Sequence, residues 1–412
     1  MRTPNHGTLG SPTTPPRPRP DIQESDLRGF KYFEHLRQLV QHLHPVGTAR
    51  DKAGNRELFF DDYVLLLLLY FFNPVITSLR GLCQASDLAK VQKILGVKHT
   101  SLGSLHEAGT LFEPALLRAI VQELAVRAST TETNLNEQQR EALHGLTAVD
   151  GTFLQALPRM MWALWRQDKH AVKMHLQFDV LKGVPADATI TPGANRETDE
   201  LSAMLQAERL YVVDRGYGKY RLYRNILDAH SSFIARVKDN TAFVLAAERP
   251  LSDEARAAGV TRDVVLSKLG AAHHRDYIGR PLRLVMVDAH SPNGTPYSLW
   301  LLTDRMDLDA ELVALAYRYR WSVELFFRWF KCILGCRHLI AESENGVALQ
   351  CYVALIASLL ISLWTGLRPT KRTWEMIQFY LQGWASLEDL ERHLEKRRAK
   401  ENPAANPATA TL

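Results

Sequence analysis

Two uninterrupted apolar runs stand out in a chain that otherwise alternates hydrophobic and polar positions. Tyr63 to Phe72 (YVLLLLLYFF) is bounded by Asp61-Asp62 and Asn73-Pro74 and is too short to span a bilayer. Val347 to Leu367 carries no formal charge and is long enough, but Gln350, Ser358, Ser362 and Thr365 dilute it. A helix apolar on every side is also what the centre of a large α/β domain requires, so this run predicts a buried core helix and no membrane.

Around these runs the periodicity changes character once. From Asp26 to about Ala128 apolar residues recur at steps of three and four, as in Gly103 to Ala125, and no strand pattern appears. Asp61 is placed to cap the Val64–Phe72 run. From 146 onwards strand-like segments predominate: 146–154, 171–181 and 185–190, with Lys182-Gly183 as a turn, then the short apolar strands 210–213 and 232–237. Helix-like stretches at 197–208 and 217–229 separate the last three. A looser stretch follows, with a hairpin of 282–287 and 297–302 joined through Asn293-Gly294. After Asp309 the chain reads as helical to about Lys396. The sum predicts an α/β fold preceded by an all-helical unit: an arm at 1–24, a helical domain at 25–138, a mixed-sheet domain at 139–390 with a β-rich insertion at about 240–305, and a polar tail at 391–412.

Composition narrows this little. The 412 residues are 46% hydrophobic and 23% charged, with a net charge of +5. Collagen-like, disordered and disulfide-scaffold classes are excluded, and the mild basic excess permits nucleic acid as a partner without requiring it. The arm holds Arg17 and Arg19 among six prolines and has nothing with which to build a core. Four cysteines point to a reducing compartment. Cys332, Cys336 and His338 have ligand-like spacing but no fourth partner, and buried thiols account for them better.

Chemistry concentrates in Ala316 to Leu339 (AYRYRWSVELFFRWFKCILGCRHL). On a continuous helix Tyr317, Arg320, Glu324 and Lys331 fall within an arc of about 60°, and Arg328 joins them. Leu325, Phe326, Trp329 and Phe330 would anchor the other side. One acid among three bases is a poor pattern for ion pairing along a helix and a good one for gripping phosphate. Two further acids end strands: Asp150 in TAVDGTF and Asp214 in LYVVDRGYGKY, the latter followed by Arg215 and Lys219. An acid there must be solvated or hold a cation. Three hard oxygen donors with no Cys/His cage suit Mg²⁺ or Mn²⁺, and such a site has room for two ions acting on a phosphodiester.

These segments resemble the signature blocks of DDE transposases of bacterial insertion sequences, and more narrowly the insertion sequence 4 family, marked by Y-x2-R-x3-E-x6-K. Tyr317, Arg320, Glu324 and Lys331 match that spacing, the blocks around Asp150 and Asp214 match the first two acids, and the likeness covers about 145–340. The resemblance implies a ribonuclease H-like mixed sheet with a β-rich insertion before the last catalytic helix. It implies Asp150, Asp214 and Glu324 as catalytic and metal-binding residues for two divalent ions, in cleavage of transposon ends and strand transfer to target DNA. Tyr317, Arg320, Arg328, Lys331, Arg215 and Lys219 would contact DNA, and Trp300 is a candidate to receive a flipped base. The helical domain would bind terminal inverted repeats, and the active species would be a homodimer on paired ends, cytoplasmic and associated with the nucleoid. Two alternatives remain: an inactive DNA-binding relic or regulator of transposition, and a structure-selective nuclease on the same core.

Overall fold

The computed structural model describes residues 37–128, 135–167, 169–270, 278, 280–290, 293–333 and 339–401. The proline-rich arm, Cys336, His338 and the tail from 402 lie outside the described residues, as does the Cys332 side chain. Two compact units are present, 1–112 with 376–390, and 113–375 with 391–412. The division between them falls at Phe112/Glu113.

In the smaller unit α1 (Phe60–Phe72) is buried along its whole length and touches α2 (Leu79–Ser86), α3 (Ala89–Leu95) and α4 (Leu102–Leu111). Its apolar run, too short for a membrane, is a core helix. Asp61 does not cap it: the helix begins one residue earlier, and the Asp61 carboxylate instead meets His44 Nδ1 at 3.0 Å. Asp62 accepts the Phe59 N–H at 3.4 Å and so takes the capping role.

The larger unit opens with α5 (Pro114–Arg127) and α6 (Glu137–Ala142), then enters a ten-stranded mixed sheet. The strands are β1 (Leu146–Gln155), β2 (Leu164–Arg166), β3 (Lys169–Asp179), β4 (Val184–Pro192), β5 (Leu210–Val213), β6 (Ser232–Val237), β7 (Phe243–Glu248), β8 (Val260–Leu269), β9 (Leu282–His290) and β10 (Pro296–Thr303). β3 lies between β1 and β4, antiparallel to both, while β1, β5 and β6 run parallel. β5 is buried at all four positions, as a parallel strand covered on both faces must be. The crossovers are α7 (Glu197–Ala203) and α8 (Tyr220–Asp228). The late β segment continues the same sheet: β10 pairs antiparallel with β6, and β9, β8 and β7 follow it, with the short α9 (Asp253–Ala257) between β7 and β8.

Alternation along the strands puts Val149, Tyr211, Val213, Phe233 and Ala235 on the face covered by α7 and α8. The opposite face carries α10 (Ala310–Tyr319) and α11 (Trp321–Ile333), where Phe326 packs on Phe178 at 5.4 Å between ring centroids. α12 (Glu344–Thr365) passes the length and composition test for a membrane span, yet 94% of its apolar window is buried, with α5 and β4 among its neighbours. Part of its polar side chains have protein partners: Gln350 Oε1 accepts the Ile340 N–H at 3.0 Å, and the Ser362 and Thr365 hydroxyls donate to carbonyls one turn back, while Gln350 Nε2 and Ser358 Oγ have no partner among the described residues. Nearby, the Tyr352 hydroxyl donates to the Ala188 carbonyl at 3.0 Å. Between α5 and β4, Arg118 forks onto buried Asp187 with two 2.7 Å hydrogen bonds. The final helices are α13 (Lys371–Leu381) and α14 (Leu387–Glu401), so helix continues through the first part of the stretch read as a polar tail.

Candidate active site

Register creates a notch in the sheet. β5 pairs with β1 only at Leu146–Ala148, so β1 continues past it with that edge open. Asp150 sits just beyond the last pair, and Asp214 follows the final residue of β5. Each carboxylate is oriented by a backbone donor. The Gly151 N–H reaches Asp150 Oδ1 at 2.8 Å, and the Gly216 N–H reaches Asp214 Oδ1 at 2.7 Å.

Glu324 arrives from α11, and the predicted helix is divided at Arg320, whose own backbone stays in the helical region (φ −52°, ψ −33°). α10 ends at Tyr319 and α11 starts at Trp321. Arg320 between them takes part in two three-residue backbone hydrogen bonds, its N–H to Tyr317 O at 3.1 Å and the Val323 N–H to its own carbonyl at 3.2 Å. Its guanidinium donates to Glu324 Oε1 at 2.6 Å and stands 3.6 Å from Asp150 Oδ2. Tyr317 presents its ring to the same group, 5.8 Å from centroid to Cζ. Phe326, Trp329 and Phe330 anchor α11 as expected, but Leu325 is exposed rather than part of that anchor.

Burial pushes the Asp150 carboxyl up to about 6, with the negative charges of Asp214 and Glu324 adding to the rise and the Gly151 N–H and Arg320 opposing it. Acids from three distant parts of the chain are therefore in electrostatic contact. Among the described residues no three His, Cys, Asp or Glu side chains are close enough to ring a metal ion. The donor chemistry nonetheless fits a hard divalent cation, with Arg320 bridging two of the acids in its place. If Asp150 ligates such a cation, a proton competes with it for the carboxylate. Divalent-ion affinity is expected to fall up to about tenfold per pH unit below about pH 6, readable by Mn²⁺ titration across pH 5–8.

The other predicted residues are placed as follows. Arg328 and Lys331 continue the Arg320–Glu324 side of α11 into solvent, and Arg215 and Lys219 are exposed on the turn after Asp214. Trp300 is half-buried on β10, edge-on to Phe243 at 5.9 Å and packed against the core. That is a packing environment. His175 is a neutral sheet histidine, hydrogen-bonded to Thr191 at 2.9 Å and lowered to about 4 by burial and by Lys173. Sequence reasoning missed Glu197 and Lys173, which form a 2.6 Å ion pair beside Gly151.

Comparison with known proteins follows the same segment. The chain is 27% identical over 230 residues to a probable transposase for insertion sequence element IS5377 of Geobacillus stearothermophilus, over 55% of this chain and 59% of that protein. It is 26% identical over 229 residues to a putative transposase, y4zB, of Sinorhizobium fredii, over 55% and 63%. The matches thus span about three-fifths of each relative's length. A piggyBac transposase synaptic complex with hairpin DNA, solved by cryo-EM, is 12% identical, covering 94% of this chain and 88% of its own, at a TM-score of 0.39. Residues 141–360, which contain the notch, both strand-end acids and Glu324, match the transposase DDE domain, and the chain belongs to that family.

Proposed function

We propose that this chain is a DNA transposase of the insertion sequence 4 type, cutting at transposon ends and transferring the freed strand to target DNA. The observation that carries the proposal is the Arg320 bridge, which ties Asp150 on β1 to Glu324 on α11, with the charge of Asp214 at the end of β5 acting on Asp150. The strand order β4-β3-β1-β5-β6, with β3 alone antiparallel to its neighbours, supports a ribonuclease H-like core.

Asp150, Asp214 and Glu324 would hold Mg²⁺ or Mn²⁺, two ions at full occupancy, whose charge would activate an attacking oxygen and stabilise a leaving one. The chain's own part is positioning. Gly151 and Gly216 fix two carboxylates through backbone donors, and Arg320 gathers the third. Arg328 and Lys331 on α11 and Arg215 and Lys219 on the turn after Asp214 are exposed cations, suited to phosphates of end DNA. Pairing of two ends calls for two copies of the chain.

The test is cleavage and joining of labelled duplexes carrying the element's terminal repeats. Cleavage that needs Mg²⁺ or Mn²⁺, followed by a joined product, is the expected result. Cleavage without joining would leave a nuclease, and binding without cleavage under any divalent ion would leave a regulator.

A further inference from the structure

We propose that Glu197 is a fourth carboxylate of the divalent-cation site, held in place by Lys173; the inference rests on the transposase proposal for the other three. Glu197 opens α7, the helix that follows β4, and reaches the notch from the sheet face opposite Glu324. One of its oxygens is pinned: Lys173 Nζ lies 2.6 Å from Oε1, and the lysine side chain is only 9% exposed. The carboxylate lies against both acid-bearing turns. A Cβ on Gly151 would come within 2.7 Å of Oε1, and a Cβ on Gly216 would lie 3.7 Å from Oε2 and 3.0 Å from Asp214 Oδ1. Oε2 therefore faces the Asp214 turn, and the missing side chain at Gly151 lets Glu197 approach.

A second observation points to a ligand. Tyr217, next in this turn, is 1% exposed, and its hydroxyl has no hydrogen-bond partner. The carboxylates acting on that hydroxyl are Glu197, Asp150 and Asp214. A buried orphan hydroxyl among three acids is costly unless something fills the space, and a hydrated cation supplies water to which it can donate. Charge agrees. Asp150, Asp214, Glu197 and Glu324 face two internal cations, Lys173 and Arg320, a deficit that one divalent ion would cancel.

The pair also has a purely architectural interpretation, a half-buried ion pair bracing α7 to β3, and the two roles predict opposite results. Mn²⁺ is titrated into the full chain without DNA, with free ion read by electron paramagnetic resonance and unfolding midpoints taken in EDTA and in saturating Mn²⁺. Lys173→Met, which frees Glu197, should bind Mn²⁺ at least as tightly as the parent. The double variant Lys173→Met/Glu197→Gln leaves no orphan charge and should bind roughly tenfold or more weakly, with a smaller Mn²⁺-induced rise in midpoint. If the double variant misfolds, Glu197→Asp, which keeps the charge on a shorter arm, should show an intermediate loss. Parental affinity in a folded double variant, or in Glu197→Asp, overturns the inference. Asp150→Asn and Asp214→Asn separate the two ideas. If they weaken Mn²⁺ binding and the double variant does not, only Glu197 is excluded; if none weakens it, the cation site itself is wrong.

Discussion

Asp150→Asn should cleave end DNA at least ~100-fold more slowly than the parent while unfolding at a higher temperature and binding DNA undiminished. The rate loss follows from removing an oxygen donor from the centre of the acid cluster; loss of an outer-shell partner alone costs ~10–100-fold in such sites. The stability gain follows from the raised carboxyl. A group with an ordinary value near 4 that is held at about 6 in the fold binds its proton more tightly folded than unfolded. Its contribution to stability is present below about pH 4 and is lost as pH rises to about 6. At neutral pH the ionised carboxylate thus costs about 1–3 kcal/mol after allowing for its 23% exposure, and the amide removes that cost. The advantage should shrink strongly by pH 4, where the folded parent is protonated and the unfolded parent is about half protonated, and vanish below it. Thermal melts at pH 7 and pH 4 beside a cleavage assay measure both effects. Parental cleavage by a folded Asp150→Asn chain would remove Asp150 from the chemistry.

The largest stability loss is expected far from the notch, at Asp263. Both its oxygens accept from Arg283 at 2.8 Å, and the two side chains are 3% and 1% exposed. Arg283 also donates to the carbonyls of Arg305 and Leu308, just ahead of α10. This cluster fastens β8 and β9 to the chain that leads into Arg320. Asp263→Ala strands a buried guanidinium and should cost about 3–5 kcal/mol, read as a fall in the denaturation midpoint. The joint replacement Asp263→Leu/Arg283→Met should recover part of it, since the apolar pair strands no charge between them, but it leaves the Arg305 and Leu308 carbonyls without their donor and Arg249 without Asp263. A single variant within 1 kcal/mol of the parent would mean that water reaches the pair.

Which parts of this were legible in the sequence follows from how far apart the deciding residues lie. The strands 210–213 and 232–237 match the observed β5 and β6 because a short, wholly apolar run bounded by polar residues has few other places to go. β7 and β8 were not resolved from the loose stretch. Glu248, Arg262 and Asp263 break their alternation, and the partner that makes Asp263 acceptable in a core is Arg283, on another strand. Asp150, Asp214 and Glu324 were visible as acids in the wrong company, and the family signature gave them their order. Glu197 was not, because Glu197, Asp199 and Glu200 open a helix, where acids ordinarily complement the backbone dipole. Its role depends on the space at Gly151, which no local pattern records.

The joint at Arg320 has a mechanical consequence. Upstream, Leu308 and Val313 of the α10 region are seated in the core; downstream, Phe326 and Phe330 seat α11. With both rods clamped, the single residue between them works like the pin of a coupling, setting the rotation of one shaft against the other. One residue added or removed at that pin would turn the downstream rod by about 100°, swinging Glu324 out of line with Asp150 even though every side chain in the cluster were still present.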